Sequence, residues 1–174
     1  MTLDQGIGDV VRIWYKSTLD RDDGTARAAR ARLRRCDSPV DALAVAETHD
    51  LNELLKQSGR NPRPDQLALV AATFARLKGI DGDRIATLFG KQASKDAPRA
   101  LSMLRFQSLI RIESRRDLIA PLRRAIAVLG SQPSCDGRAL AEDLYFWNEQ
   151  VRNKWCLQYF GAAFVEADQG ENVR

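Results

Sequence analysis

The sequence predicts an all-α protein, and three observations carry that prediction. Apolar residues recur at spacings of three and four along nearly the whole chain. No run of alternating β-branched residues, the mark of a half-buried strand, interrupts them. Capping and breaking residues stand where such helices begin and end: the acidic turn at 20–25, Ser38-Pro39, and the loop Ser58-Gly-Arg-Asn-Pro-Arg-Pro64.

Taken in order, a first helix is expected over residues 4–18, burying Val10, Val11 and Trp14, with Leu19 just beyond it. The turn at 20–25 supplies caps for an arginine-rich second helix, whose Ala26, Ala29, Leu33 and Cys36 form an apolar stripe. Ser38 caps the next helix with Pro39 at its first position; its pattern runs through Ala42, Ala46, Leu51, Leu54 and Leu55, with a break near His49. Residues 67–74 read as a buried helix ending at Gly79, and a short helix over 83–89 completes an N-terminal bundle of residues 1–90. The polar stretch 91–98 reads as a linker. Helices near 99–112, 115–129 and 137–164 then make a second packed bundle over 99–165. The last is long and amphipathic, with Leu140, Leu144, Trp147, Val151, Trp155 and Tyr159 on one stripe. Residues 166–174 are acidic and lack apolar anchors, so a disordered tail is expected.

A length of 174 residues suits one domain or two small ones. With 27 basic against 23 acidic residues the chain is mildly basic, and arginine dominates the basic set, which favours bidentate phosphate contacts. Nucleic acid is therefore the leading partner class. Cys36, Cys135 and Cys156 are odd in number and far apart, matching neither a disulfide framework nor a zinc site and fitting a reducing cytoplasm. The first residues lack a secretion signal, and no stretch has the length of a membrane span, so a cytoplasmic location is expected.

Catalytic chemistry finds little support. Before Gly90-Lys91 a phosphate loop would need glycine where Ile85 stands and a hydroxyl where Gln92 stands. Gly6-Ile7-Gly8 follows no strand. His49 is the only histidine and has no metal-binding or catalytic companion at helical spacing. Asp20, Asp22 and Asp23 offer carboxylates to a divalent ion, but helix capping explains them better. Trp14, Trp147 and Trp155 lie on apolar stripes, which favours core packing over base stacking. No enzyme activity, cofactor or metal is expected.

Charge is localised. Residues 21–35 hold six arginines against two aspartates, a net +4; residues 98–154 hold ten basic and six acidic residues, also +4, and the remaining segments are slightly acidic. On a helix Arg27, Arg30 and Arg34 share one face, with no acidic residue within 24–36 to pair them, so an anionic partner such as a phosphate backbone is expected. Arg32 lies off that face. In the second zone Glu113 and Asp117 lie near Arg111, Arg115, Arg123 and Arg124, and structural ion pairing competes there.

Several phrases together resemble the CasB family, the small subunit of the type I-E CRISPR surveillance complex Cascade. They are Trp14; Asp23-Gly24 with Arg27-Ala28-x-Arg30-Ala31-x-Leu33-Arg34-Arg35; Leu101-Ser-x-Leu-Arg105-Phe-Gln-x-Leu-Ile110; and Leu122-Arg-Arg-Ala125. Leu140-Ala-x-Asp-Leu144 with Trp147, and Val151-Arg152-x-x-Trp155-x-x-Tyr159-Phe160, complete the set. The resemblance implies an all-helical, non-catalytic subunit present in two copies. Its partners would be CRISPR RNA, target DNA and the other Cascade subunits, and it would stabilise the R-loop by backbone contacts while base pairing reads the sequence. Carried over residue by residue, the expected contacts are Arg27, Arg30, Arg34, Arg35, Arg105, Arg123, Arg124 and Arg152. Residues 40–98 match only in character, so Lys56, Arg63, Arg76 and Lys91 receive no role. A helical protein–protein scaffold without nucleic-acid contact is the alternative, and a metal-dependent nuclease at Asp20–Asp23 is disfavoured.

Overall fold

A computed structural model describes residues 5–162; the tail expected to be disordered at 166–174 and the start of the first predicted helix lie outside them. The described chain is helical, as the sequence predicts: α1 (Ile7–Trp14), α2 (Gly24–Arg34), α3 (Pro39–Leu43), α4 (Ala46–Gln57), α5 (Pro64–Phe74), α6 (Ile85–Gly90), α7 (Met103–Ile110), α8 (Ile119–Ala127), α9 (Gly137–Tyr145) and α10 (Glu149–Gly161). A π-helical turn, Tyr15–Leu19, extends α1, and a 3-10 turn, Arg115–Asp117, precedes α8. The described residues form no strand, and isolated bridges join Gly79 to Ser134 and Gln92 to Arg99.

α5 runs through the middle of the core, with every residue from Gln66 to Phe74 buried, and packs on α3, α4, α8 and α9. α1 turns Ile7, Val10, Val11 and Trp14 inward and lies against α9. Glycine is needed at that crossing, because a Cβ on Gly8 would sit 2.8 Å from the Arg138 Cα. α6 meets α10 just as closely, and a Cβ on Gly90 would overlap the Tyr159 carbonyl. Helices from both sides of residues 91–98 thus contribute to one hydrophobic cluster, which holds all three tryptophans.

Three boundaries differ from the sequence expectation. The break expected near His49 falls at Ala44–Val45. Val45 is extended (ψ 126°), the Thr48 hydroxyl donates to the Ala42 carbonyl at 2.7 Å, and the Trp14 indole N–H donates to the Glu47 carbonyl at 2.9 Å. His49 lies inside α4, exposed, with its ring 2.7 Å from the Leu43 carbonyl. The buried helix begins at Pro64 and ends at Phe74, short of Gly79; the Leu77 carbonyl beyond it accepts from the Tyr15 hydroxyl at 2.9 Å. Residues 137–164 do not make one helix. α9 stops at Tyr145, and Asn148 caps α10 by accepting from the Val151 N–H at 2.9 Å. Trp147, between them, enters the core, donates to the Ile112 carbonyl and lies 5.0 Å from the Trp155 ring. The apolar stripe survives the break because both helices face the same core.

Candidate nucleic-acid interface

α2 begins where Asp23 accepts from the Ala26 N–H at 2.8 Å, a bond that, with Arg21, holds the Asp23 carboxyl below its ordinary value. The capping role therefore accounts for Asp23. No group of three or more His, Cys, Asp or Glu residues suited to a metal ion occurs among the described residues. Ala26, Ala29 and Leu33 pack inward, which sets the opposite face, with Arg27, Arg34 and Arg35, toward solvent. Arg34 and Arg35 have no side-chain partner among the described residues, and Arg27 makes only a long 3.4 Å bond to the Asp23 carbonyl.

Arg30 does not share that exposed row. Its guanidinium turns back to the Leu19 carbonyl at 2.8 Å, at the end of the π-helical turn, and lies 6.0 Å from the Tyr15 ring centroid. Arg32, expected to stand apart, is ion-paired with Glu47 of α4.

From the second basic zone, α8 brings Arg123 and Arg124 up to the end of α2. There Arg34, Arg123 and Arg124 meet Arg76 around a groove of about 360 Å³, lined also by Ile126, Ala127, Pro133 and Gly130, whose φ of 99° favours glycine. Arg76 receives no role from the sequence. It reaches from the end of α5 to the Arg34 and Cys36 carbonyls, capping α2 from outside. Burial, and then the neighbouring Arg123 and Arg34, push its pKa down to about 10, so its positive charge is held at a cost that an anion would relieve. One clue to it was present in the sequence: an arginine directly after the apolar run 67–75 has to reach past the core to solvent.

A second groove, of about 770 Å³, opens between α7 and α8. Leu101, Leu104, Leu109, Ile112 and Val128 line it, with Arg105 and Arg124 also on its walls. Arg124 and Ala127 belong to both grooves, so Arg105 borders the same continuous surface as Arg34. Arg105 and Arg124 have no ionic partner among the described residues, whereas Arg123 is paired with Asp37. Arg152 sits elsewhere. It donates to the Ile110 carbonyl at 3.2 Å, with Glu113 3.8 Å away. Of the other basic residues in the middle of the chain, Lys56, Arg63 and Lys91 pair with Glu53, Asp65 and Asp83. No helix among the described residues is long and apolar enough to cross a membrane.

Known proteins match this architecture. The chain is similar to CasB from Thermus thermophilus, with 25% identity, a TM-score of 0.65 and coverage of 90% of this chain and 99% of that one. It also matches a chain of E. coli Cascade in a crystal structure bound to a PAM-containing dsDNA target. The identity there is 18%, the TM-score 0.59, and the coverage 89% of this chain and 94% of that one, a likeness of fold. No curated protein matches the sequence. The family model for the CRISPR-associated protein Cse2 matches residues 29–160, from the middle of α2 to the last turn of α10, and the chain belongs to the Cse2 family.

Proposed function

We propose that the chain is the small, non-catalytic subunit of a Cascade-type RNA-guided DNA-surveillance complex, assembled with CRISPR RNA, target DNA, the other subunits and a second copy of itself. Its task is to steady the R-loop by holding backbone phosphate. The observation that carries this reading is the convergence of Arg34, Arg76, Arg123 and Arg124 on one open groove, continued by Arg27 on α2, Arg35 at its C-cap and Arg105 on α7. Exchange of a DNA duplex for an RNA–DNA duplex is nearly balanced in free energy, so a few sequence-independent contacts are enough to tip it. Arg30 and Arg152 are assigned to helix ends instead.

The test is binding of a single-stranded oligonucleotide across a salt series, with the combined Arg34→Ala, Arg35→Ala, Arg124→Ala variant beside the wild type. Three lost phosphate contacts flatten the slope of log K against log salt by about 2, equally for unrelated sequences. An unchanged slope and affinity, with helicity intact, would overturn the reading. A scaffold role has one observation of its own, the apolar α7–α8 groove with Leu104 77% exposed on it. Loss of co-assembly on Leu104→Asp, with oligonucleotide binding unchanged, would favour it.

A further inference from the structure

One carboxylate stands at the arginine groove. Asp37, which follows the end of α2, is ion-paired with Arg123, and the two side chains are 51% and 37% exposed, so the pair lies at the mouth of the groove. The helix that follows does not use this carboxylate, whose negative charge also favours the cationic form of Arg76. The next helix is capped by Ser38 and Asp41, which exchange hydrogen bonds of 3.3 and 3.2 Å, and Asp37 joins that turn only through its main-chain N–H, 3.4 Å from Asp41. A carboxylate and a phosphodiester offer a guanidinium the same thing, two anionic oxygens in a plane that its forked N–H groups match.

We propose that Asp37 is an internal competitor for nucleic-acid phosphate: it occupies Arg123 in the free protein and yields it when a backbone phosphate enters the groove. This rests on the function proposed above. Exposed ion pairs are weak, so the exchange costs little, and the entering phosphate gains Arg34, Arg76 and Arg124 as well. The arrangement also discriminates by length. A lone phosphate must displace Asp37 with only the arginines of the groove to draw it in. A strand already resting on Arg27, Arg35 and Arg124 presents its next phosphate at high effective concentration. Asp37 thereby lowers the groove's affinity for free phosphate and mononucleotides by a larger share than its affinity for a polymer.

The experiment uses the full chain with Asp37→Asn, and Asp50→Asn on the exposed part of α4 as a control for net charge. Single-stranded oligonucleotide binding is measured over a salt series, with inorganic phosphate as a competitor. Asp37→Asn should bind roughly two- to five-fold more tightly than the control, the range an exposed ion pair carries. Its salt slope should match the control's, because Arg123 neutralises the same phosphate in both proteins, and inorganic phosphate should compete at lower concentration. Asp37→Ser repeats the measurement with a different side chain. Equal behaviour of the Asp37 and Asp50 variants, with folding intact, would overturn the inference. The combined arginine variant separates the two proposals: if it loses affinity while Asp37→Asn matches its control, only the competitor falls, and if it binds as wild type, the functional reading falls.

Discussion

In α2 and at its C-cap, Arg27, Arg34 and Arg35 stand on an outward face, and none of them is ion-paired among the described residues. In residues 98–154, which carry the same net charge, Arg99, Arg115 and Arg152 lie against main-chain carbonyls. Arg99 donates to the Gly90 and Tyr159 carbonyls, with its guanidinium 4.9 Å from the Tyr159 ring centroid. Arg115 donates to the Leu144 and Tyr145 carbonyls and to Asp65. Arg152 takes the Ile110 carbonyl. Each of these carbonyls lies in the last turn of a helix, where the main chain has no further N–H to offer and the helix dipole is negative. The two regions show that net charge marks where arginines are, while helix ends decide which of them remain available to a ligand. Arg30 and Arg76 belong with the second group although they lie in or beside the first region.

That division can be broken by substitution. The largest effect is expected for Arg115→Ala, whose side chain is only 12% exposed: the end of α9 loses its partner and Asp65 keeps only Arg63, at a cost of about 2–4 kcal/mol. Thermal or urea unfolding checks this, and affinity per folded molecule should not change. Arg30→Ala and Arg152→Ala should each cost about 1–2 kcal/mol, again without altering the salt slope of binding. A drop in slope for Arg30→Ala would move that residue into the ligand-facing group. The combined Arg34, Arg35 and Arg124 variant should do the reverse, changing stability by less than about 0.5 kcal/mol while losing nucleic-acid affinity. The smallest effect on binding is expected for Arg32→Ala, which removes a pair whose Glu47 carboxylate is only 14% exposed: it should cost about 1 kcal/mol of stability and leave affinity unchanged.

Much of the fold was legible because periodicity and caps act locally. Ser38-Pro39 opens α3, Asp23 caps α2, and the apolar stripes place all three tryptophans in the core. The break at Phe146–Asn148 was hidden because the spacing of large residues continues across it, and only the cap at Asn148 and the inward turn of Trp147 reveal it. The site was legible in part for a related reason. Spacing put Arg27, Arg30 and Arg34 on one face, but the carbonyl that draws Arg30 away is exposed by a π-helical turn that spacing does not announce. Arg76 and Asp37 join the groove through tertiary approach alone, since neither has a neighbour in sequence that foretells α8.

The tight crossings at Gly8 and Gly90 also set an order in time. α6 finds its partner only when residue 159 has been made, and α1 waits in the same way for α9. At a synthesis rate of roughly 5–20 residues per second, the stretch from α6 to the end of α10 takes several seconds. Through that interval the nascent chain carries the uncovered apolar faces of α1 and α6, and it is then a client for whatever shields such surface as chains emerge. α10, the last of the described helices, completes the core, so a truncation that removes it unmakes what the N-terminal helices have prepared.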